Sequence, residues 1–311
     1  MKAVICTRYG PPEVLQLAEV EKPVPRDHEV CIKIYATSAH IGDTRIRKPD
    51  PFLIKLMFGW SRPKKVPVLG MELSGVIESV GKDVKSFKPG DDVFAFTGFG
   101  FGAYAEFICM PAVPEEGKIE KQGTISLKPE NITHGEAATI PAGALTVLKV
   151  FQKVDLRKGE KLLVYGASGS LGCYAVQLAK SLGAEVTGVC STSNLELVKS
   201  LGADRVIDYT REDFLRSGGF YDVIFDAVDK ISRSKCRRLL SEKGKFTATG
   251  GLGKLEIGDL DLLKKRVEEE RLKPVIDREY TLDQIVEAHR YVDTGRKKGN
   301  VCIYVVKKEK N

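Results

Sequence analysis

The chain has 311 residues, of which 42% are hydrophobic and 29% charged, and its formal net charge is +7. This length exceeds the usual size of one domain and predicts two soluble globular domains with a sizeable core. The positive charge is mild and scattered among acids, which argues against a nucleic-acid partner and leaves a modest attraction for anionic ligands. No apolar run reaches the roughly 18 residues of a membrane span, so we expect no stable membrane insertion.

The seven cysteines share no C-x-x-C spacing and mostly lie inside apolar runs. We interpret them as small buried residues in a reducing compartment rather than as a disulfide set. The N-terminal residues Met1–Ile5 enter a strand pattern at once, so we expect no secretory signal and predict a cytoplasmic protein.

Strand and turn signals dominate the first 125 residues. The segment HEVCIKIYATSA (28–39) alternates or runs β-branched, GVIESVG (75–81) is short and bounded by glycines, and residues 91–110 are rich in aromatic residues and glycines. Prolines and glycines at such short intervals are typical of an irregular β-barrel.

Helix and strand patterns alternate from about Pro129. The predicted helices are 134–151, 171–183, 194–202, 212–219 and 232–244, and the predicted strands are 161–166, 185–191, 204–209, 221–228 and 245–251. This rhythm predicts a parallel, doubly wound sheet. A capping box from Thr281 to Gln284 predicts a last helix, and residues 300–306 a closing strand.

A glycine-rich turn follows the first strand of the alternating region. KLLVYGASGSLG (161–172) places glycines at 166, 169 and 172, and the aligned dinucleotide fingerprint begins with Ala167 where glycine is usual. Gly169 would let the backbone approach a pyrophosphate, and Gly172 would let helix and strand pack closely. The alternative is a strand-to-helix turn without a ligand. The predicted contacts to the anion come from Ser168, Gly169, Ser170, Leu171 and Gly172.

No acid follows the second strand, where NAD-selective proteins bind the ribose hydroxyls. The chain has Cys190 at that position, followed by Ser191, Thr192, Ser193 and Asn194. A carboxylate there would repel a 2′-phosphate, whereas hydroxyls and an amide can donate hydrogen bonds to it. The sequence therefore predicts NADP(H) in preference to NAD(H), with Tyr209 at the end of the third strand packing on or bonding to the phosphate.

A set of motifs runs in order through nearly the whole chain. They are ATSAHIGDTRIR, VLGMELSGVIESVGKDVKSFKPGDDVFAF, GAYAEF, AATIPAGALTVL, GASGSLG, VQLAKSLGAEVTGVCSTSN, LGADRVIDYTREDF, YDVIFDAV and LKPVIDREYTLDQIVEAHRYVDTGRKKGNVCIYV. In these motifs the chain resembles the medium-chain dehydrogenase/reductase superfamily and, within it, the zinc-free quinone oxidoreductase-like group. The resemblance implies an α/β protein with a GroES-like β-barrel domain (1–125, completed by 277–311) and a doubly wound Rossmann NADP-binding domain (126–276). It also implies an active site in the cleft between the domains.

Many members of that superfamily are zinc alcohol dehydrogenases, whose catalytic metal takes Cys, His and a third ligand that is Cys, Glu or Asp. The matching positions here are His40, Met71 and Ala142, so one ligand of three remains. The structural zinc lobe of four closely spaced cysteines is missing from the sequence as well. We therefore expect no zinc.

The resemblance also implies catalytic residues. Members of the zinc-free group often carry Asn at the position of His40, near the nicotinamide. His40 would donate a hydrogen bond to a substrate carbonyl or relay a proton with a pKa close to neutral, or it would only order its loop. Asp43 matches the group's motif, as does Arg47, and an ion pair between them would fix the loop. Thr146 matches a position on the nicotinamide side. The predicted catalytic set is His40, Asp43 and Thr146.

Two strand ends complete the predicted site. Val228 and Gly250-Gly251 end the fourth and fifth strands and are expected to face the nicotinamide through backbone groups. After Gly251 the chain is shorter than in many relatives, whose longer insert includes structure used in pairing subunits. A homodimer is therefore an open expectation.

An apolar segment, residues 50–65, has Phe52, Leu53, Leu56, Met57 and Trp60 at helical spacing. We interpret it as core or domain-packing surface, the alternatives being a hydrophobic lip over the substrate cleft and a membrane-surface helix.

The predicted function is transfer of hydride from NADPH to a small hydrophobic electrophile: a quinone, an enone or alkenal, or a simple carbonyl. A substrate that is already electrophilic needs no metal to polarise it. The alternatives are a zinc-independent alcohol dehydrogenase and a non-catalytic NADPH-binding protein with a sensing or structural role.

Overall fold

The computed structural model describes residues 1–50, 52–216, 218–250 and 253–306. Gly251, which was predicted to face the nicotinamide, lies outside these residues. The chain divides into two compact units. The first contains residues 1–142, 256–265 and the chain from 276 onward, and the second contains residues 143–255 and 266–275.

The strands are β1 (Lys2–Cys6), β2 (Leu15–Glu19), β3 (Glu29–Ser38), β4 (Glu72–Val80), β5 (Asp92–Phe96), β6 (Phe107–Pro111), β7 (Thr124–Leu127), β8 (Lys161–Tyr165), β9 (Glu185–Cys190), β10 (Arg205–Asp208), β11 (Tyr221–Asp226), β12 (Leu240–Ala248), β13 (Ile276–Thr281) and β14 (Asn300–Tyr304). The helices are α1 (Ile41–Arg47), α2 (Ile54–Phe58), α3 (Ile119–Gln122), α4 (His134–Ala137), α5 (Pro141–Val154), α6 (Ser170–Ser181), α7 (Leu195–Ser200), α8 (Arg233–Cys236), α9 (Asp259–Glu268) and α10 (Ile285–Asp293). Short 3₁₀ helices span Pro12–Val14, Gly98–Gly100, Thr192–Asn194, Phe214–Arg216, Arg237–Leu239 and Leu282–Gln284.

The first unit is built on mostly antiparallel strands. One sheet has the order β13-β14-β3-β4-β5-β7, β6 pairs with β3 outside this path, and β1 pairs with β2. Alternation along β3 buries Val30, Ile32 and Ile34 in one apolar core together with Leu73 and Ile77 of β4. The predicted strands at 28–39 and 75–81 are thus confirmed as β3 and part of β4.

The first unit extends past residue 125, where the sequence analysis placed its end. β7 pairs with β5, and the short helix α4 contacts β3, β4 and β14. Pairing to this sheet therefore holds residues 126–142 in the first unit, although their sequence pattern marks the start of the alternating region.

The second unit contains the predicted parallel, doubly wound sheet. Its strand order is β10-β9-β8-β11-β12, and every neighbouring pair is parallel. The carboxyl ends of these strands share one edge, and the chain order reverses direction between β8 and β11. Such a reversal is where open α/β sheets bind ligands.

Three predicted helices differ from the structure. The helix predicted for 134–151 is two helices, α4 and α5, because Pro141 starts a new helix instead of continuing one. Within 212–219 the described residues form only a 3₁₀ helix at Phe214–Arg216. The helix predicted for 232–244 ends at Leu239, because Leu240 already pairs with Tyr221 in the sheet. The capping box of Thr281 and Gln284 is present and leads into α10.

The apolar segment at 52–60 does not belong to the core. Phe52, Leu53, Leu56, Met57 and Trp60 are each more than half exposed, so the interpretation as core is wrong for these five. Only Phe58 of α2 is buried, where it packs edge-on against Phe101. Among the described residues, no helix combines the length and the apolar character needed to cross a membrane.

Candidate active site

The glycine turn in the second unit connects β8 to α6. Gly166 has a φ of +80°, a left-handed conformation that glycine adopts without cost. The backbone N–H groups of Gly166 and Ala167 both donate to Val189 O at 3.0 Å, which fixes the turn to the end of β9. A Cβ at Gly172 would lie 2.2 Å from Gly166 O, so close packing of helix and strand requires this glycine.

Gly169, unlike Gly172, is not required by packing within the protein. A Cβ added there would meet only Gly166 O, at 3.5 Å, and its φ of −78° suits any residue. The fold therefore does not require glycine at 169, and the space beside it is open. The first-turn N–H groups of a helix have no partner within the helix, so a pyrophosphate fits in this space. The residues present thus fit a dinucleotide cofactor.

The loop after β9 is held to the glycine turn. The side-chain amide of Asn194 donates to Ser168 Oγ at 2.9 Å and to Ser191 Oγ at 3.2 Å. The structure thus brings together Ser168, Ser191 and Ser193 at the carboxyl edge of the sheet, with the hydroxyls of Ser191 and Ser193 3.4 Å apart. The Asn194 amide was expected to donate to a 2′-phosphate, but in the structure it binds these two serines and acts as a positioning residue.

A carboxylate that the sequence analysis did not consider stands at the end of the neighbouring strand. Asp208 ends β10 directly beside Cys190, and accepts hydrogen bonds from the hydroxyls of Thr192 at 2.5 Å and Thr210 at 2.7 Å. These hydrogen bonds lower the pKa of Asp208, and Arg211 lies 3.6 Å from it. The sequence could have identified this acid, because Cys190 and Asp208 lie near the ends of consecutive predicted strands, and the last residues of adjacent parallel strands are neighbours.

The other predicted strand-end residues also lie on this edge. Val228 contacts the turn, since a Cβ at Gly166 would be 2.6 Å from its Cγ1. Asp226, which was not predicted, shapes the Val228 loop by accepting hydrogen bonds from the N–H groups of Val228, Lys230 and Ile231. Gly250 is exposed, and a Cβ there would meet no atom within 4 Å.

Tyr209 and Thr146 occupy other positions in the second unit. Tyr209 follows β10, is half-exposed, and its ring centre lies 6.3 Å from that of Tyr165. Thr146 is half-buried in α5, one turn beyond Gly143. A Cβ at Gly143 would be 2.9 Å from the Tyr174 ring, so this glycine allows α5 to pack closely on α6.

His40, in the first unit, caps the N-terminus of α1. Its Nδ1 accepts a hydrogen bond from Gly42 N at 3.0 Å, so the neutral ring carries its proton on Nε2. Burial, together with the positive charges of Lys297 and Arg45, lowers the pKa of His40 to about 3. The expected pKa near neutrality is therefore wrong. His40 is a fixed neutral donor, not a group that titrates at physiological pH.

The Nε2 of His40 has no hydrogen-bond partner in the described part of the chain. No side-chain nitrogen or oxygen there is both buried and without a partner. His40 is only partly buried, so Nε2 is the ring nitrogen that remains to donate to a ligand oxygen.

Asp43 is buried and fixes the His40 loop through hydrogen bonds to backbone and side-chain donors. Its carboxylate accepts hydrogen bonds from His40 N at 3.1 Å, Gly70 N at 2.9 Å and the Tyr104 hydroxyl at 3.0 Å. Burial raises the pKa of Asp43 to about 6 against these hydrogen bonds. With both oxygens bonded inside the protein, Asp43 acts as a positioning residue for His40.

Arg47 does not pair with Asp43, so the expected ion pair is wrong. Its buried guanidinium donates to His289 Nδ1 at 3.3 Å, to Gly10 O at 2.7 Å and to Asp293 at 2.5 Å. His289 Nε2 in turn lies 3.1 Å from the Tyr104 hydroxyl. Arg47 therefore joins α1 to α10, and its role in the structure is packing of the first unit.

Glu72 is a buried acid that the predicted set did not include. It accepts hydrogen bonds from the Ser38 hydroxyl and from Ala142 N, the latter at 2.7 Å. Burial raises the pKa of Glu72 to about 7, because these hydrogen bonds do not fully offset its desolvation. The sequence could have identified Glu72, because it directly follows Met71, one of the three positions aligned with zinc ligands.

We expect Glu72→Gln to flatten the dependence of stability on pH. The pKa of Glu72 is raised from 4.5, so the folded chain binds a proton that the unfolded chain has released. The contribution of this proton to the free energy of unfolding is complete below pH 4.5 and is lost as the pH rises through about 7. The free energy of unfolding then falls by up to about 3 kcal/mol. Denaturant unfolding at pH 5 and pH 8 measures it. Glu116→Gln, on an exposed loop, is the control. An unchanged slope in Glu72→Gln would show that Glu72 titrates normally.

The residues at the three metal positions do not fit a zinc ion. His40 Nδ1 accepts the capping hydrogen bond, and the Met71 thioether and the Ala142 methyl group offer no ligand that zinc prefers. Residues 1–50, 52–216, 218–250 and 253–306 contain no group of three or more His, Cys, Asp or Glu side chains that could hold a metal ion. Zinc independence remains a prediction.

Sequence comparison identifies families in both units. Residues 26–115 match the family described as "Alcohol dehydrogenase GroES-like domain". Residues 170–271 and 254–303 match two families described as "Zinc-binding dehydrogenase". The match at 26–115 lies in the first unit, and the match at 170–271 covers strands β9 to β12 of the parallel sheet.

Individual relatives match almost the whole chain. The 2-methylene-furan-3-one reductase of Solanum lycopersicum is 34% identical, over 98% of this chain and 79% of its own. The NADPH-dependent alkenal/one oxidoreductase of Arabidopsis thaliana is 31% identical, over 98% of this chain and 80% of its own. The solved structure of the quinone oxidoreductase from Coxiella burnetii has a TM-score of 0.87 and 29% identity, covering 98% of this chain and 99% of that one.

These matches confirm the fold class: a GroES-like domain and a doubly wound Rossmann-type domain. The glycine turn at the reversal of strand order agrees with the same assignment. The chain therefore belongs to the medium-chain dehydrogenase/reductase superfamily, within its quinone oxidoreductase-like group, and is an NAD(P)H-dependent oxidoreductase.

Proposed function

We propose that the chain reduces small hydrophobic electrophiles with NADPH and without zinc. The acceptors would be quinones, activated alkenes such as enones and alkenals, and simple carbonyls. The observation that carries this proposal is the His40 imidazole, which is neutral, fixed by Gly42 N, and carries its proton on Nε2, where no described residue accepts it. The names of the tomato and Arabidopsis relatives, which specify a furanone and an alkenal or enone, support the same acceptor class.

The second unit would hold the cofactor. The open space at Gly169 and the N–H groups of the first turn of α6 would receive the pyrophosphate. The hydroxyls of Ser191 and Ser193 would donate to the 2′-phosphate. When bound, the nicotinamide supplies the hydride.

His40 would act on the oxygen of the acceptor. As hydride reaches a carbonyl or the β-carbon of an enone, negative charge develops on oxygen, and a fixed Nε2–H donor stabilises that charge. A neutral imidazole serves as such a donor at any physiological pH. Asp43 and Tyr104 would keep the ring in place through the loop backbone.

Turnover after metal removal tests the whole proposal. We expect loss of NADPH absorbance with quinones, enones and aldehydes, at the same rate before and after exhaustive chelation, because the donor set around His40 does not fit zinc. Elemental analysis should find less than stoichiometric zinc. Activity that disappears with the metal and returns with added zinc would contradict the proposal. Tight NADPH binding without turnover of any acceptor would instead favour a non-catalytic sensor.

Cofactor preference is tested best at Ser191. Cys190 stands at the position where NAD-selective proteins carry their acid. Its side chain is buried and adjoins Asp208, however, so an acid introduced at 190 would be buried beside an existing one. Ser191→Asp places a carboxylate on the half-buried loop instead, where it repels a 2′-phosphate. We expect the ratio of NADH to NADPH dissociation constants to fall about tenfold, an effect of about 1.4 kcal/mol. Ser191→Asn is the control of equal size without charge. Equal affinities for the two cofactors in the unmodified protein would refute the NADPH preference.

A further inference from the structure

Two cysteines of the first unit lie directly opposite each other on neighbouring strands. Cys31 in β3 and Cys109 in β6 are register partners in an antiparallel pair. All the cysteines were expected to be separate buried residues, and 77 residues lie between these two along the chain. Both are present as free thiols.

The pair occupies a position that favours a disulfide. Backbone hydrogen bonds join Ala112 N to His28 O and Ile34 N to Glu106 O, so hydrogen-bonded pairs fall on the even residues of β3. Cys31 is odd and therefore belongs to a non-hydrogen-bonded pair. In such pairs the Cα atoms are about 4.5 Å apart and the side chains are closest. This separation lies within the range of about 4.4–6.8 Å that a disulfide spans without backbone movement.

The two thiols lie on the face of β3 opposite to the apolar core, where Cys31 is fully buried and Cys109 is partly exposed. The core contains Val30 and Ile32, so Cys31 points away from it. Its Sγ is 3.8 Å from Glu78 Oε2, and Glu78 pairs with the half-exposed Lys22 at 2.5 Å. Cys109 is only partly buried, and β6 pairs with β3 alone at the margin of the sheet. Glu78 and the backbone of Pro23 thus border the buried Cys31 thiol, while Cys109 is the more accessible of the two.

The two thiols lie on the same side of the sheet, because cross-strand register partners share one face. Cys31 is fully buried and Cys109 only partly, so a dissolved oxidant reaches Cys109 first.

We propose that Cys31 and Cys109 form a reversible disulfide when the protein meets a small disulfide oxidant such as oxidised glutathione. In the first exchange the thiolate of Cys109 attacks the oxidant, which forms a mixed disulfide and releases one glutathione thiolate. The thiolate of Cys31 then attacks the Cys109 sulfur and releases the second glutathione thiolate. The two cysteines lose two electrons and two protons in total, and the oxidant is reduced to two thiols.

Mass spectrometry of the full chain after treatment with oxidised glutathione tests this proposal. We expect a product that has lost two hydrogen atoms and carries no glutathione, that yields a cross-linked peptide containing Cys31 and Cys109, and that dithiothreitol reverts. A disulfide mapped to other cysteines, or a wild-type chain that retains all its thiols, would overturn it.

Single variants separate the two steps. Cys31→Ser removes the resolving thiol, so it should stop at a stable glutathione adduct on Cys109. Cys109→Ser should form neither the adduct nor the cross-link, and Cys236→Ser, a buried cysteine of the second unit, should behave like the wild type. A wild-type chain that also stops at the adduct would overturn the proposal, because the pair would then fail to resolve it.

Discussion

We expect His40→Ala to lower kcat/KM for an alkenal by about 10²-fold, the usual scale for loss of a hydrogen-bond donor at a developing charge. Affinity for NADPH should hardly change, because the residues that fit the cofactor lie in the second unit. The effect on a quinone should be smaller, since a hydroquinone anion leaves without prior protonation. Steady-state kinetics with one acceptor of each class, together with NADPH titration, measures all three effects.

His40→Asn provides the matched control. An asparagine can accept from Gly42 N with its oxygen and offer an N–H donor on its other atom, so it should restore much of the lost rate. Equal loss in both variants with weaker NADPH binding would mean that His40 only orders its loop. Unchanged rates in His40→Ala for both acceptors would likewise mean that His40 has no part in hydride transfer.

The pH profile adds an independent test of the same residue. With its pKa lowered to about 3, His40 stays neutral from pH 5 to 8, so the wild type and His40→Ala should have parallel rate–pH curves. A limb near pH 6.5, the usual pKa of histidine, that vanished in the variant would show that His40 titrates in turnover.

The second large effect is expected at the glycine turn, where one alanine substitution should weaken NADPH binding and another should lower stability. Gly169→Ala keeps an allowed backbone and meets only Gly166 O at 3.5 Å, so the melting temperature should stay near that of the wild type. Its new methyl group fills the space proposed for the pyrophosphate, and the NADPH dissociation constant should rise tenfold or more, about 1.4 kcal/mol or above.

Gly172→Ala should instead destabilise the fold. Its Cβ would lie 2.2 Å from Gly166 O and 2.6 Å from Ala167 Cα, which are backbone atoms that cannot turn away. Overpacking of this kind typically costs about 1–3 kcal/mol. Thermal unfolding and NADPH titration of both variants separate the two roles. Normal cofactor affinity in Gly169→Ala would contradict a pyrophosphate site at this turn.

Much of the second unit could be predicted because its signals are local. The helix–strand rhythm from residue 161 and the glycines at 166, 169 and 172 depend on neighbours in sequence, and the parallel sheet and the turn followed from them. The helix predicted for 232–244 failed because pairing of Leu240 with Tyr221 outweighed local helical propensity.

The polar interior of the first unit could not be predicted from the sequence. Its hydrogen bonds link residues far apart in the chain, such as Asp43 with Gly70 and Tyr104, Glu72 with Ala142, and Arg47 with His289. Residue types alone suggested an ion pair between Asp43 and Arg47, and only the fold assigns each its own partners.

The sequence by itself determined the doubly wound parallel sheet and the glycine turn, since both rest on spacing within short segments. Only the tertiary structure decided the chemical state of His40, the acids at 72 and 208, and the pairing of Cys31 with Cys109. Burial and cross-strand contact determine those properties, and both depend on which distant segments the fold brings together.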